Sequence, residues 1–128
     1  IIDAEPEIVY MALTNAATIR LWTGADAIME PIDGSEFSLW DENIAGKNIS
    51  FIPGKKIVQE WYFGETDDPS IVTITLHEKE GKTSAELRHT NIPDEAYEEI
   101  CDGWTNTYFS SLIDFVLLLL LAMNSLQA

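Results

Sequence analysis

The sequence predicts an α+β domain in which a curved antiparallel sheet packs against a long C-terminal helix. Two patterns indicate this class: apolar residues at helical spacing in the last part of the chain, and apolar residues at alternating positions through its middle. The chain has 128 residues, of which 46% are apolar. This is enough for one domain with its own core, and we expect residues 1–128 to form a single domain.

The long helix is predicted to begin at Pro93 and to run for about 30 residues. Its apolar side chains repeat in steps of three and four, the period of one helical face. The members of this face are Tyr97, Cys101, Trp104, Tyr108, Leu112, Phe115, Leu119, Ala122 and Leu126. Pro93 suits a first helical turn, and acidic residues follow it where the helix dipole favours negative charge. This phase places Cys101 in the core, which predicts an inert buried thiol.

Two short helices are predicted near the start of the chain. The first begins close to Pro6, and Asn15 ends it and caps a second helix over about 16–22. Gly24 ends that second helix. Residues 1–3 look like the end of a strand.

From residue 25 the apolar period becomes two, and turn residues divide the region into hairpins. About six strands in hairpins are predicted after the strand remnant and the two helices, and those with clear bounds are 35–40, 44–52, 56–63, 71–76 and 83–90. Gly46 is a candidate bulge, and 64–70 is a polar loop. Phe37 and Leu39 share one face while Trp40 takes the other. Strands joined by short turns are antiparallel, and the long helix covers their apolar face.

Composition excludes several classes of partner. The chain has 22 acidic and 7 basic residues, a net charge of −15, so nucleic acid and anionic membrane surfaces are poor partners. The longest apolar run, 115–123, has nine residues, against the ~20 that span a bilayer. One cysteine suits a reducing compartment, and we expect a cytoplasmic protein.

Motifs for catalysis and for metal binding are absent from the sequence. There is no nucleophile elbow, phosphate-binding glycine loop or dinucleotide fingerprint, and the histidines and the cysteine lack zinc spacing. We therefore predict a protein that is not an enzyme and has no cofactor or metal. The alternation of faces along the strands predicts that His77 faces solvent. It predicts that His89 points inward, either as a buried hydrogen-bonded side chain or as a polar anchor for a ligand.

Three segments resemble one known family: GSEFSLWDENIAGKNISFIPGKKIVQEWYFG, SIVTITLHEKEGKTSAELRHTNIP and GWTNTYFSSLIDF. They are similar to the C-terminal domain of the activator of the heat-shock-protein-90 ATPase, over about residues 2–115. The most specific features are the Gly46 strand with its Pro53-Gly54 turn, the Trp61 strand, Asn91-Ile92-Pro93, Gly103-Trp104 and Tyr108-Phe109. The sequence departs from the family in two ways. Two-domain members carry a separate N-terminal domain that is not among these residues, and a leucine-rich tail follows Phe115.

The resemblance implies the helix-grip fold of the START-like superfamily, which includes the birch-pollen allergen and often keeps a cavity between helix and sheet. The candidate cavity residues are Trp22, Met29, Phe37, Trp61, His89, Trp104 and Tyr108. They either fill the core or line a pocket for a small apolar or aromatic ligand.

The resemblance also implies an alternative function, a co-chaperone-like module that binds a heat-shock-protein-90-type chaperone and stimulates its ATPase. An enzyme using His89 or Glu60 is a third hypothesis. A homodimer through the C-terminal helix is a further expected association.

Overall fold

The computed structural model describes the backbone of residues 2–62 and 70–127 and the side chains of these ranges as far as Leu119. Two short helices come first, α1 (Pro6–Thr14) and α2 (Ala16–Thr23). The strands are β1 (Glu36–Leu39), β2 (Ile44–Ile52), β3 (Lys56–Trp61), β4 (Ser70–Lys79) and β5 (Lys82–Thr90). The C-terminal helix comprises a 3₁₀ turn (Asp94–Ala96), α3 (Tyr97–Gly103), a π-helical segment (Trp104–Phe109) and α4 (Ser110–Gln127).

The sheet is an antiparallel meander in the order β1-β2-β3-β4-β5, so the predicted α+β class is confirmed. The described residues form five strands rather than about six, and Ile28 and the strand remnant at Ile2 each make only an isolated bridge. The Ile2 amide donates to the Thr83 carbonyl at 2.7 Å, and the reverse bond measures 2.9 Å. The predicted strand end at Phe63 and loop residues 64–69 lie outside the described residues.

Local chemistry explains where the short elements begin and end. Pro6 starts α1, and the Asn15 side chain caps α2 by accepting from the Thr18 amide at 2.9 Å. Gly24 ends α2 with a φ of +69°, a value that glycine adopts without strain. These boundaries agree with the sequence-based expectations.

Gly46 lies in a regular part of the sheet, so the predicted bulge at this position is wrong. It pairs with Phe37 on one side and with Trp61 on the other. The β2–β3 register shifts between Asn48 and Ser50 instead. A Cβ at Gly46 would overlap the Glu60 carbonyl oxygen and lie 2.8 Å from Phe37 Cε1. Close approach of the neighbouring strand therefore accounts for the glycine.

The core lies between the apolar face of the sheet and the helices. Along β4, Val72, Ile74 and Leu76 are buried, whereas His77 is exposed and contacts Glu86 at 3.3 Å. The buried apolar residues alternate along β4 and His77 faces solvent, as the sequence pattern predicted. Opposite the sheet, Leu112 of α4 is fully buried.

The long helix is interrupted by the π-helical segment, and this shifts its buried face. Among the described residues of this helix, the buried side chains follow a spacing of four, at Trp104, Tyr108, Leu112 and Val116. In an α-helix each step of four rotates by about 40° beyond a full turn, so such a stripe winds away from the core. The wider π turn, with its i→i+5 bonding, brings the stripe back towards the sheet.

The predicted face is therefore wrong at the start of the helix. Tyr97 is 55% exposed and Cys101 is also exposed, so the expectation of a buried thiol is incorrect. Ile100, four residues before Trp104, packs against the core in their place. The uniform α-helical period behind that expectation does not allow for the π turn.

Candidate functional site

A pocket of about 300 Å³ opens between the C-terminal helix and the edge of the sheet. One side is formed by the β1–β2 turn and β3, and the other by α3 and the π-helical segment. The lining residues are Trp40, Asn43, Ile44, Trp61, Glu99, Ile100, Gly103, Trp104, Thr107 and Tyr108. Three tryptophans and a tyrosine in one small pocket give it a largely aromatic wall.

The rings of this wall contact one another. Trp61 and Trp104 stack with centroids 4.9 Å apart and planes inclined by 25°. Trp104 and Tyr108 are 4.5 Å apart and inclined by 49°, and Trp40 and Tyr108 are 5.8 Å apart and inclined by 59°. The planes are inclined to one another, and the rings line the pocket together, so they form a concave corner of its wall rather than a flat surface.

Trp40 reaches this corner through an unusual turn. Strand β1 ends at Leu39, and Trp40, Asp41 and Glu42 all have left-handed φ values, of 51°, 54° and 72°. This conformation is strained for residues other than glycine. Asp26 holds the turn, since its amide donates to Asp41 Oδ1 at 2.8 Å and its carbonyl accepts from the Asp41 amide at 3.1 Å.

Trp40 was expected on the outer face of its strand, and this is wrong because the strand ends one residue earlier, at Leu39. Trp40 was also missing from the candidate residues. The acidic and amide residues that follow it, Asp41 to Asn43, indicate a turn and were the only signal in the sequence that could have moved Trp40 out of the strand.

A chain of buried polar groups supports Trp61. The Trp61 indole N–H donates to Gln59 Oε1 at 3.0 Å, Gln59 Nε2 donates to Asn48 Oδ1 at 3.0 Å, and Asn48 Nδ2 donates to Ser35 Oγ at 3.1 Å. Such connected networks fix the positions of their members. They hold this wall of the pocket in place.

His89 lies behind the wall and contacts two of its tryptophans. The Trp104 indole N–H donates to His89 Nδ1 at 3.1 Å, and the Trp61 ring lies 5.2 Å from the imidazole. His89 Nε2 is 2.7 Å from Ser70 Oγ, whose hydroxyl donates to the Thr90 carbonyl at 3.1 Å. Because Nδ1 accepts, neutral His89 carries its proton on Nε2 and donates to Ser70. This arrangement does not prepare His89 to remove a proton from Ser70.

Burial lowers the pKa of His89 from 6.5 to about 4, because the charged imidazolium is poorly solvated there. The unfolded chain therefore binds a proton near pH 6.5, while the native protein resists protonation until about pH 4. Between these values the unfolded state binds more protons, so acidification favours unfolding. The contribution of neutral His89 to the free energy of unfolding is fully present above pH 6.5 and is lost by about pH 4.

We expect the free energy of unfolding to decrease between pH 7.5 and pH 4.5 by a component that is absent from His89→Gln. Glutamine removes the titrating group and keeps an acceptor for Trp104. Urea unfolding of both proteins at several pH values measures the difference. The carboxylates titrate in both proteins, so their effect on the free energy of unfolding cancels in the comparison. Parallel pH curves would contradict this assignment.

Tyr108 is one of the three most enclosed lining residues, with Trp61 and Trp104. Its side chain is 5% exposed, and burial raises the pKa of the phenol well above its ordinary value of 10.0, so the hydroxyl stays protonated. As a phenol, this hydroxyl can both donate and accept a hydrogen bond at the pocket wall.

The structure brings together only part of the predicted site. Trp61, Trp104 and Tyr108 line the pocket, whereas Trp22 and His89 pack behind them. Trp22 donates its indole N–H to the Ala12 carbonyl at 2.8 Å.

Two of the predicted residues lie elsewhere in the core. Met29 Sδ is 3.4 Å from Asn48 Nδ2, and Phe37 packs beside Gly46. Neither of them lines this pocket.

Within the described ranges, no group of three or more His, Cys, Asp or Glu side chains could hold a metal ion. Likewise, none of the helices described is both long enough and apolar enough to cross a membrane.

Known proteins resemble this chain in sequence and in fold. The human "Activator of 90 kDa heat shock protein ATPase homolog 1" is 30% identical over 109 residues, which are 84% of this chain and 32% of that protein. The chain thus spans about a third of the length of that curated relative. An HSP90 activator from Plasmodium falciparum superposes with a TM-score of 0.79 at 29% identity, covering 85% of this chain and 86% of the other.

The Aha1 dimer from Colwellia psychrerythraea has a TM-score of 0.76 at 21% identity, with 90% of each chain covered, and shows the same fold. The family model described as "Activator of Hsp90 ATPase homolog 1-like protein" matches residues 3–116, almost the range over which the sequence resembled that family. Fold and sequence agree, and the chain belongs to the Activator of Hsp90 ATPase homolog 1-like family.

Proposed function

We propose that the protein binds a small apolar or aromatic ligand, without catalysis, in the pocket beside the π-helical segment. The observation that carries this proposal is the concave corner formed by Trp40, Trp104 and Tyr108. Ligand pockets combine apolar and aromatic walls with a few polar groups, and Tyr108, Asn43 and Thr107 supply such groups here.

The position of the π-helical segment supports the proposal. Single π turns inside α-helices are rare and often lie at functional sites. This one carries Trp104, Thr107 and Tyr108, three of the lining residues. The non-catalytic part rests on His89, whose Nδ1 is occupied by Trp104 and whose Nε2 proton points to Ser70.

Gly103 offers a direct test, because a Cβ added there meets no atom of the described residues within 4 Å although Gly103 lines the pocket. We expect Gly103→Trp to fill the pocket and to weaken binding of the neutral fluorophore N-phenyl-1-naphthylamine at least tenfold. Gly103→Ala is the matched control and should bind within about twofold of the unchanged protein. Fluorescence titration measures both. Equal binding by all three proteins, or by none, would refute the proposal.

A second function is favoured by the similarity to Hsp90 activators from human and Plasmodium falciparum. In this alternative the chain is a co-chaperone-like module, located in the cytoplasm, that binds a heat-shock-protein-90-type chaperone and stimulates its ATPase. Chaperone ATPase rates with and without the purified protein test it. No change in rate and no co-purification with the host's own chaperone would count against it.

A homodimer through the C-terminal helix also stays a proposal. On α4, Ile113, Leu117 and Leu118 are 40%, 51% and 66% exposed, which leaves an apolar strip facing outward. Light scattering coupled to gel filtration distinguishes a monomer from a dimer.

A further inference from the structure

We propose that the ligand of this pocket is a small organic cation whose ammonium nitrogen carries alkyl groups. The inference rests on the proposed function, because it names the ligand class of the same pocket.

The aromatic wall is the first reason. Alkylated ammonium groups bind against aromatic faces, through attraction between the positive charge and the ring quadrupole and through contact of the alkyl groups with the ring. Tryptophan is the best of the three aromatic side chains for this purpose. The pocket has three of them, Trp40, Trp61 and Trp104, and Tyr108 completes the wall.

The charge at the pocket is the second reason. Among the described residues that line the pocket, Glu99 is the one that is charged, and no Lys or Arg accompanies it. Among the described residues it forms no salt bridge. A negative charge at the edge of an aromatic pocket favours a positive ligand and disfavours an anion.

The surroundings extend this field. Residues 93–128 contain six acidic side chains and no Lys or Arg. Asp41 and Glu42 follow Trp40 directly in sequence and add to the negative charge of the turn that carries it. Negative potentials of this kind raise the local concentration of cations, and they repel a ligand that carries a phosphate next to its ammonium group.

The volume sets the size of the ligand. At about 300 Å³ the pocket is at the lower end of the range for small-molecule sites. It therefore suits a compact cation such as choline better than a long-chain lipid. Phosphocholine shares the same ammonium group and tests whether a lipid headgroup is the source.

The experiment compares four probes by calorimetric titration: tetramethylammonium, choline, phosphocholine and 3,3-dimethylbutan-1-ol, the uncharged carbon analogue of choline. We expect choline and tetramethylammonium to bind at least tenfold more tightly than the alcohol, because only they carry the charge. Phosphocholine should bind more weakly than choline, and raising the salt concentration should weaken choline binding.

Glu99→Gln and Glu98→Gln form a matched pair. Both residues are exposed and lie in the first turn of α3, but only Glu99 lines the pocket. We expect Glu99→Gln to weaken choline binding about three- to tenfold and Glu98→Gln to change it less than twofold. Binding of the neutral alcohol should be the same in both variants.

The outcomes separate this inference from the proposed function. Equal or tighter binding of the alcohol, with N-phenyl-1-naphthylamine also bound, would overturn the cation and leave a neutral apolar ligand. Binding of neither the cations nor the fluorophore would overturn both. Tighter binding of phosphocholine than of choline would overturn the inference of a free cation and would point to a headgroup.

Discussion

Replacing Trp104 with alanine is expected to lower the free energy of unfolding by about 3–5 kcal/mol, the range for large aromatic truncations in cores. The indole is 6% exposed, stacks on Trp61 at 4.9 Å and contacts Tyr108 at 4.5 Å. Its N–H also donates to His89 Nδ1, so truncation removes a hydrogen bond as well as packing. Urea unfolding followed by circular dichroism measures the loss.

Two further variants separate the causes of this loss. Trp104→Phe keeps a ring and removes the N–H, and should cost about 1–3 kcal/mol. Tyr97→Ala changes a residue of the originally predicted helical face that is 55% exposed, and should cost about 0.5 kcal/mol or less. If Tyr97→Ala cost as much as Trp104→Ala, the exposed position of Tyr97 at the start of the helix would be wrong.

Replacing Gly46 with alanine is expected to cost at least about 3 kcal/mol, at or above the upper end for overpacked sites. The new Cβ would overlap the Glu60 carbonyl oxygen and would lie 2.8 Å from Phe37 Cε1. The Glu60 carbonyl oxygen belongs to the backbone, which cannot move aside as a flexible side chain does. The strands on both sides of Gly46 would have to separate.

Gly103→Ala is the control for this prediction. The new Cβ would meet no atom within 4 Å in the part of the chain that the structure describes, and Gly103 is the last residue of α3. Alanine in place of a helical glycine should stabilise the protein by about 0.5–1 kcal/mol. The same substitution is thus expected to act in opposite directions at two glycines. Destabilisation of similar size at both would contradict the packing described around Gly46.

The order of elements could be predicted because local patterns determine it. Alternation along β4, the Asn15 cap and Gly24 are features of single segments, and the structure shows each of them where it was expected. The phase of the long helix could not be predicted in the same way. It depends on a π turn at Trp104–Phe109, and a pattern search with one helical period assigns Cys101 to the core.

The pocket was predictable only in part. Trp61, Trp104 and Tyr108 could be proposed because aromatic residues on a helix and an inner strand face each other in the family's fold. Trp40 could not, because three successive left-handed residues turn it back towards the helix. The close approach at Gly46 was missed for a related reason, since it depends on a neighbouring strand rather than on local sequence.

Native mass spectrometry with N-phenyl-1-naphthylamine tests the central claim, a ligand pocket beside the π-helical segment, most directly. We predict one bound fluorophore per chain for the unchanged protein and for Gly103→Ala, none for Gly103→Trp, and loss of the added mass on denaturation. The absence of an adduct on all three proteins, or the same adduct on all three, would contradict the account.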